Sequence, residues 1–148
     1  WGHDKKSRFR MEPGFRPIPG AEGWQLSNPP ILSLAAIRAS LDIFMEAGGM
    51  EPLREKSVRL TAYLEWLLQR EIGDSVEILT PRDPSRRGCQ LSFRVASSGS
   101  GRTVFEKLEA SGVTCDWREP DVIRVAPVPL YNRYEEVHRF VEILRKAL

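Results

Sequence analysis

Apolar residues at positions 31, 34, 37, 41, 44 and 45 recur at helical spacing, which predicts a helix opening near Pro30 and stopping at Gly48-Gly49. A second helix is predicted from Glu51-Pro52, where proline suits the first turn, with Leu53, Val58, Leu60, Leu64, Leu67 and Leu68 along it and a stop at Gly73. Val76 to Leu79 reads as a strand, Pro81 to Gly88 as a charged loop, and Cys89 to Val95 as a strand with period-two alternation. Thr103 to Ala110 predicts a short helix closed at Gly112. Val113 to Asp116 and Val122 to Val125 predict two more strands around a turn at Glu119-Pro120-Asp121. The segment from Tyr134 to Leu148 sets Val137, Phe140, Val141 and Leu144 on one helical face. The pattern is that of a small α+β layer, a sheet covered by helices. Residues 1–28 hold many of the glycines and prolines without sustained periodicity, so extended segments and turns are expected there.

Two stretches break the pattern in ways that suggest chemistry. Residues 121–131 place Arg124 inside an apolar, β-branched run, where a guanidinium is costly unless it meets an anion. Its planar fork fits a carboxylate bidentately, so Arg124 is a candidate substrate contact. Pro127 and Pro129 cannot donate to a ladder, so the strand should end there and continue as a stiff loop rising towards a cleft or sheet edge. The structural alternative is an arginine pointing outwards on the polar side of an edge strand. In residues 23–32 an apolar extended segment halts at Ser27-Asn28, and two prolines follow. The Asn28 amide can donate and accept at once, although Ser27 or Asn28 could equally cap the helix that begins at Pro29 or Pro30.

The 148 residues suit one domain of ordinary size, and a net charge of +2 with interspersed signs argues against a polyanion-binding protein. The run Lys5-Lys6-Ser7-Arg8-Phe9-Arg10 is a local basic cluster, but no nucleic-acid motif accompanies it. Cys89 and Cys115 lie in strand-like segments with no ligand-spaced partner. They read as reduced, buried thiols of a cytosolic protein, with no metal site. No apolar stretch reaches membrane-spanning length.

Taken in order, Trp1-Gly2-His3, Arg8-Phe9, Ile18-Pro19-Gly20, Ser27-Asn28-Pro29-Pro30, Arg87-Gly88-Cys89-Gln90-Leu91 and Ile123-Arg124-Val125-Ala126-Pro127-Val128-Pro129-Leu130-Tyr131-Asn132 resemble the C-terminal part of the kynureninases. The resemblance implies the small C-terminal domain of a fold-type-I pyridoxal-phosphate enzyme over residues 50–148. Residues 1–49 would then be a remnant of the large cofactor domain and the first linking helix. It implies hydrolysis of L-kynurenine or 3-hydroxykynurenine to anthranilate or 3-hydroxyanthranilate plus L-alanine, by a cytoplasmic homodimer. By the same resemblance Arg124 corresponds to the arginine that binds the substrate α-carboxylate. Asn28 corresponds to an asparagine near both cofactor and substrate, with Ser27 beside it as a further substrate contact. His3 matches the histidine of its motif, with a structural hydrogen-bonding role as the plainer expectation, and His138 reads as a helix-surface residue.

The resemblance also implies a lysine bonded to the cofactor, upstream of the Trp-Gly-His motif. The five lysines here, Lys5, Lys6, Lys56, Lys107 and Lys146, all lie in polar or charged surroundings. With Trp1 in place of an initiator methionine, the chain is expected to be an inactive fragment that carries no catalytic residue of its own. Two other readings stand beside this one: a stand-alone α+β interaction module, and the end of a related pyridoxal-phosphate lyase such as a cysteine desulfurase. The latter normally relies on a cysteine in a mobile loop, a setting that neither Cys89 nor Cys115 has.

Overall fold

The computed structural model describes residues 1–96 and 101–148, which divide into two compact units, Trp1–Ile43 and Phe44–Leu148. In the first unit, Gly2 N donates to Gln25 O, Ile18 N to Gly2 O at 2.8 Å and Asp4 N to Arg16 O at 2.7 Å, with His3 and Pro17 forming an antiparallel bridge. Gly2 is required by close packing of backbone, because a Cβ there would stand 2.2 Å from the carbonyl oxygen of Gly23. Residues 1–30 otherwise run as turns and a single 3-10 turn at Ala21–Trp24, in keeping with the many glycines and prolines of residues 1–28.

Helix α1 spans Ile31–Glu46, in agreement with its periodicity, yet none of its residues is buried. Two left-handed glycines, Gly48 and Gly49, then close it: Gly48 N donates to Met45 O and Gly49 N to Phe44 O. Helix α2 covers Met50–Leu67 and runs through a π-helical turn at Leu68–Ile72 to Gly73, the predicted stop.

The second unit is an α+β layer. Strands β1 (Val76–Ile78), β2 (Leu91–Val95), β3 (Asp116–Arg118) and β4 (Val122–Val125) form a sheet of order β1-β2-β4-β3, every neighbouring pair antiparallel. Helix α3 (Gly101–Ala110) joins β2 to β3, and α4 (Tyr134–Ala147) ends the chain. Leu91, Phe93, Ile123 and Val125 point from the sheet into a core shared with Leu60, Leu64 and Leu68 of the α2 region, Leu108 of α3 and Val141 and Leu144 of α4. Because side chains alternate across a strand, Glu77, Ser92, Arg94, Asp116, Arg118, Val122 and Arg124 occupy the opposite face, away from the core that α2, α3 and α4 share.

Two expectations need correction. The predicted strand Val113–Asp116 lies later, at Asp116–Arg118, because Val113 is used to close α3: Val113 N donates to Leu108 O, with Gly112 left-handed between them. Cys89 and Cys115 are both free and half-buried, and each sits just before a strand, outside it.

Candidate functional site

Arg124 belongs to β4, an interior strand, with Ser92 of β2 on one side and Asp116 of β3 on the other in register. The edge-strand alternative therefore fails, although the residue does lie on the polar face. Its guanidinium donates from Nε to Asp116 Oδ2 at 2.7 Å and from Nη2 to the same oxygen. Arg118 Nε stands 3.1 Å from that oxygen as well. These hydrogen bonds from Arg124, aided by the charges of Arg118 and Arg124, hold the Asp116 carboxyl below the ordinary aspartate value. The Arg124 side chain keeps 30% of its surface exposed. Its Nη1 has no hydrogen-bond partner among the described residues and is not buried.

The same face carries Arg94, 3.7 Å from Glu77 and 3.8 Å from Asp121. Arg94 Nε and Asp121 Oδ1 are buried without a hydrogen-bond partner among the described residues. Ser92 is fixed by donation of its N–H to Thr80 Oγ1 at 2.8 Å, and its hydroxyl accepts from Gln90 Nε2 at 3.3 Å. The region is thus an alternating arrangement of cations and carboxylates centred on β4.

Beyond β4 the prolines act as expected. The strand stops at Val125, and the loop that follows is pinned at its middle: Val128 N donates to Asn132 Oδ1 at 2.8 Å, and Lys56 Nζ of α2 donates to Pro129 O at 2.7 Å. Asn132 Nδ2 and Arg133 N both donate to Glu136 Oε2, which ties the loop to the first turn of α4. Ala126, Pro127 and Tyr131 of the loop, with Arg139 and Phe140 of α4, line an open cleft of about 530 Å³, and Arg124 is not part of that lining.

In the first unit, Ser27 and Asn28 are exposed, and neither side chain has a hydrogen-bond partner among the described residues. Neither caps α1, since Pro30 O accepts the first intrahelical bond, from Leu34 N. Asn28 lines a shallow cleft of about 240 Å³ together with Trp1, Lys5, Arg8 and Glu22. There the Arg8 guanidinium stacks 4.3 Å from the Trp1 ring centroid, with its Nε buried and unpartnered among the described residues. His3 is held at both nitrogens: Arg16 N donates to Nδ1 at 3.2 Å, so the neutral ring carries its proton on Nε2 and shares it with Ser7 Oγ at 3.2 Å. The Ser7 hydroxyl in turn donates to Asp4 at 2.9 Å. This is the geometry of a structural histidine. His138 is exposed on α4, as its place in the pattern suggested.

Sequence reasoning singled out Arg124 as a candidate and did not single out Asp116, the residue paired with it. Its register opposite Arg124 depends on where β3 begins, and that start is set by the α3 cap. Among the described residues no cluster of His, Cys, Asp or Glu could hold a metal ion, and no helix is long and apolar enough to cross a membrane.

Comparison with known proteins places the chain as a whole. The family model described as "Kynureninase C-terminal domain" matches residues 53–144. The kynureninase of Xanthomonas euvesicatoria is 59% identical over 143 residues, covering 96% of this chain and 34% of the relative. That of Xanthomonas oryzae is 60% identical over 142 residues, covering 95% and 33% respectively. The chain therefore spans about a third of the length of the curated relatives it matches.

Proposed function

Because this chain belongs to the kynureninase family, corresponding to its C-terminal part, we propose that it supplies the carboxylate-recognising portion of a pyridoxal-phosphate-dependent hydrolase. The reaction is cleavage of the side chain of L-kynurenine, or its 3-hydroxy form, to the aryl acid and L-alanine. The parent would be a cytoplasmic homodimer of fold type I, with residues 50–148 as its small domain and residues 1–49 as part of its large one.

The observation that carries this reading is the Arg124 guanidinium, fixed on an interior strand, on the sheet face away from the core, with Nη1 still accessible. A charge-assisted, oriented contact of this kind holds an α-carboxylate so that the rest of the amino acid is constrained for reaction. Ser27 and Asn28, with exposed and uncommitted side chains, are proposed as substrate contacts of the first unit, with Asn28 also touching the cofactor.

The lysines present do not suit covalent attachment of the cofactor. Lys56 and Lys107 are committed to the carbonyls of Pro129 and Ala147, Lys5 pairs with Glu22, and Lys6 and Lys146 are exposed. Residues 1–148 alone are therefore proposed to be inactive, and their part in the reaction is recognition and orientation of substrate. The half-buried Cys115, with its thiol pushed up to about 11 mainly by burial, is poorly placed for the nucleophilic role of a desulfurase cysteine.

The test compares L-kynurenine with its α-carboxamide in the full-length polypeptide carrying these residues. Strong discrimination against the amide by the wild type, collapsing in Arg124→Ala, supports the reading. Equal discrimination in both proteins refutes it.

A further inference from the structure

A guanidinium offers two hydrogen-bonding edges: a side edge of Nε and Nη2, and an end of Nη1 and Nη2. In Arg124 the side edge is fully taken, since Nε and Nη2 both donate to Asp116 Oδ2. The end retains an unpartnered, accessible Nη1. Asp116 also has Arg118 Nε 3.1 Å from the same oxygen and is placed by backbone register directly opposite Arg124, so its position does not depend on a flexible loop.

We propose that Asp116 is a positioning residue: it clamps the side edge of Arg124 and so presents the guanidinium end as the fork that takes the substrate carboxylate. This rests on the reading of Arg124 as the carboxylate ligand. The physical benefit is preorganisation. An arginine side chain loses substantial rotamer freedom when it grips a ligand, and a fixed carboxylate at its inner edge removes that freedom beforehand. Hydrogen bonds to an ionised acceptor are also the stronger class, so the clamp survives partial exposure to water.

The alternative is that Asp116 is an internal counter-ion competing with substrate for the same cation. The two differ in sign. A competitor, once removed, leaves Arg124 more available, and KM falls. A positioning residue, once removed, leaves Arg124 mobile, and KM rises.

The experiment measures kcat and KM for L-kynurenine in the full-length polypeptide carrying Asp116→Asn, Asp116→Ala, Arg124→Ala and the double variant Asp116→Ala/Arg124→Ala. The expected result is a KM increase of about tenfold in Asp116→Ala and a smaller one in Asp116→Asn, whose carbonyl oxygen still accepts one bond. In the Arg124→Ala background the Asp116 substitution should have almost no further effect, because it acts only through that residue. A lower or unchanged KM in both Asp116 variants while Arg124→Ala is impaired overturns the positioning role and leaves the Arg124 reading standing. Additive losses in the double variant overturn it too. Wild-type kinetics in Arg124→Ala overturn the reading beneath it. Asp116→Asn, matched to wild type in size and shape, serves as the folded comparison should the alanine variant lose stability, and the sign of its KM change decides alone.

Discussion

Glu65 on α2 receives Arg87 Nη1 at 2.6 Å, and both side chains are withdrawn from solvent, at 12% and 4% exposure. This ion pair, with Arg87 also donating to Pro81 O, fastens the charged 81–88 loop to the helix that carries the core. Removing one member of such a pair strands the other charge in a poorly hydrated setting. Glu65→Ala is therefore expected to lower the stability of the second unit by about 3 kcal/mol. Chemical denaturation of the two proteins side by side measures it, and a loss under about 1 kcal/mol would place the pair with ordinary surface bridges.

How much of this was legible in the sequence depended on whether a signal was local. Helices α2 and α4 and strand β4 follow from periodicity and turn residues within their own spans, and Arg124 stands out because its neighbours are apolar. The start of β3 depends on how α3 closes, with Val113 drawn into the cap by Leu108. That displacement carries Asp116 from a strand's end to its beginning, and so into register with Arg124. Pairing of this kind is a relation between distant segments, and no single-segment pattern encodes it. The apolar stripe of α1 was just as readable, yet reading it as a helix said nothing of what covers it.

That contrast between α1 and α2 can be measured. Leu60 is fully buried, and Leu41 is 55% exposed. Leu60→Ala should cost about 2–5 kcal/mol through lost burial and the cavity left behind. Leu41→Ala in this chain should change stability by about 0.5 kcal/mol or less. Urea unfolding of both variants tests the pair, and a comparable loss in Leu41→Ala would show that the α1 stripe is packed in solution.

Thiol chemistry offers a separate check. Burial, with Glu109 and Asp116 adding negative charge, raises the Cys115 thiol from its ordinary value of 9.0 to about 11. At neutral to mildly alkaline pH its thiolate fraction should then fall roughly a hundredfold below that of a free cysteine. Iodoacetamide labelling of a Cys89→Ser protein, followed by mass, should be correspondingly slow and should accelerate on denaturation. Labelling at the rate of an unfolded control would contradict the burial.

The loop after β4 should be sensitive to acid. Asn132 Nδ2 and the backbone N–H of Arg133 hold Glu136 below its ordinary value near 4.5. A carboxyl depressed in the folded state contributes stability that is fully present above the unfolded value and is lost as pH falls through the folded one. The denaturation midpoint should therefore drop as pH is lowered below about 4.5, and less steeply in Glu136→Gln, which has no charge to lose. Identical acid limbs in the two proteins would show that this carboxylate does not stabilise the loop.

Arg124 itself carries the most direct functional prediction. In the full-length polypeptide, Arg124→Lys keeps the charge but loses the planar fork, and it also loses the paired donation to Asp116. Arg124→Ala loses all of these and leaves Asp116 facing only Arg118. Loss of an oriented, charge-assisted contact to the substrate carboxylate should cost on the order of 2–5 kcal/mol in kcat/KM, roughly thirty- to several-thousand-fold. The lysine variant should fall between wild type and alanine. Cofactor absorbance should be nearly unchanged, because the proposed contact is to substrate. Since Arg124 is partly exposed on the sheet face away from the core and contributes nothing to the apolar core, both variants should unfold within about 1 kcal/mol of wild type. Steady-state kinetics with a denaturation curve for each protein separate the two effects. Wild-type kcat/KM in a folded alanine variant would return Arg124 to the role of a cross-strand ion-pair partner.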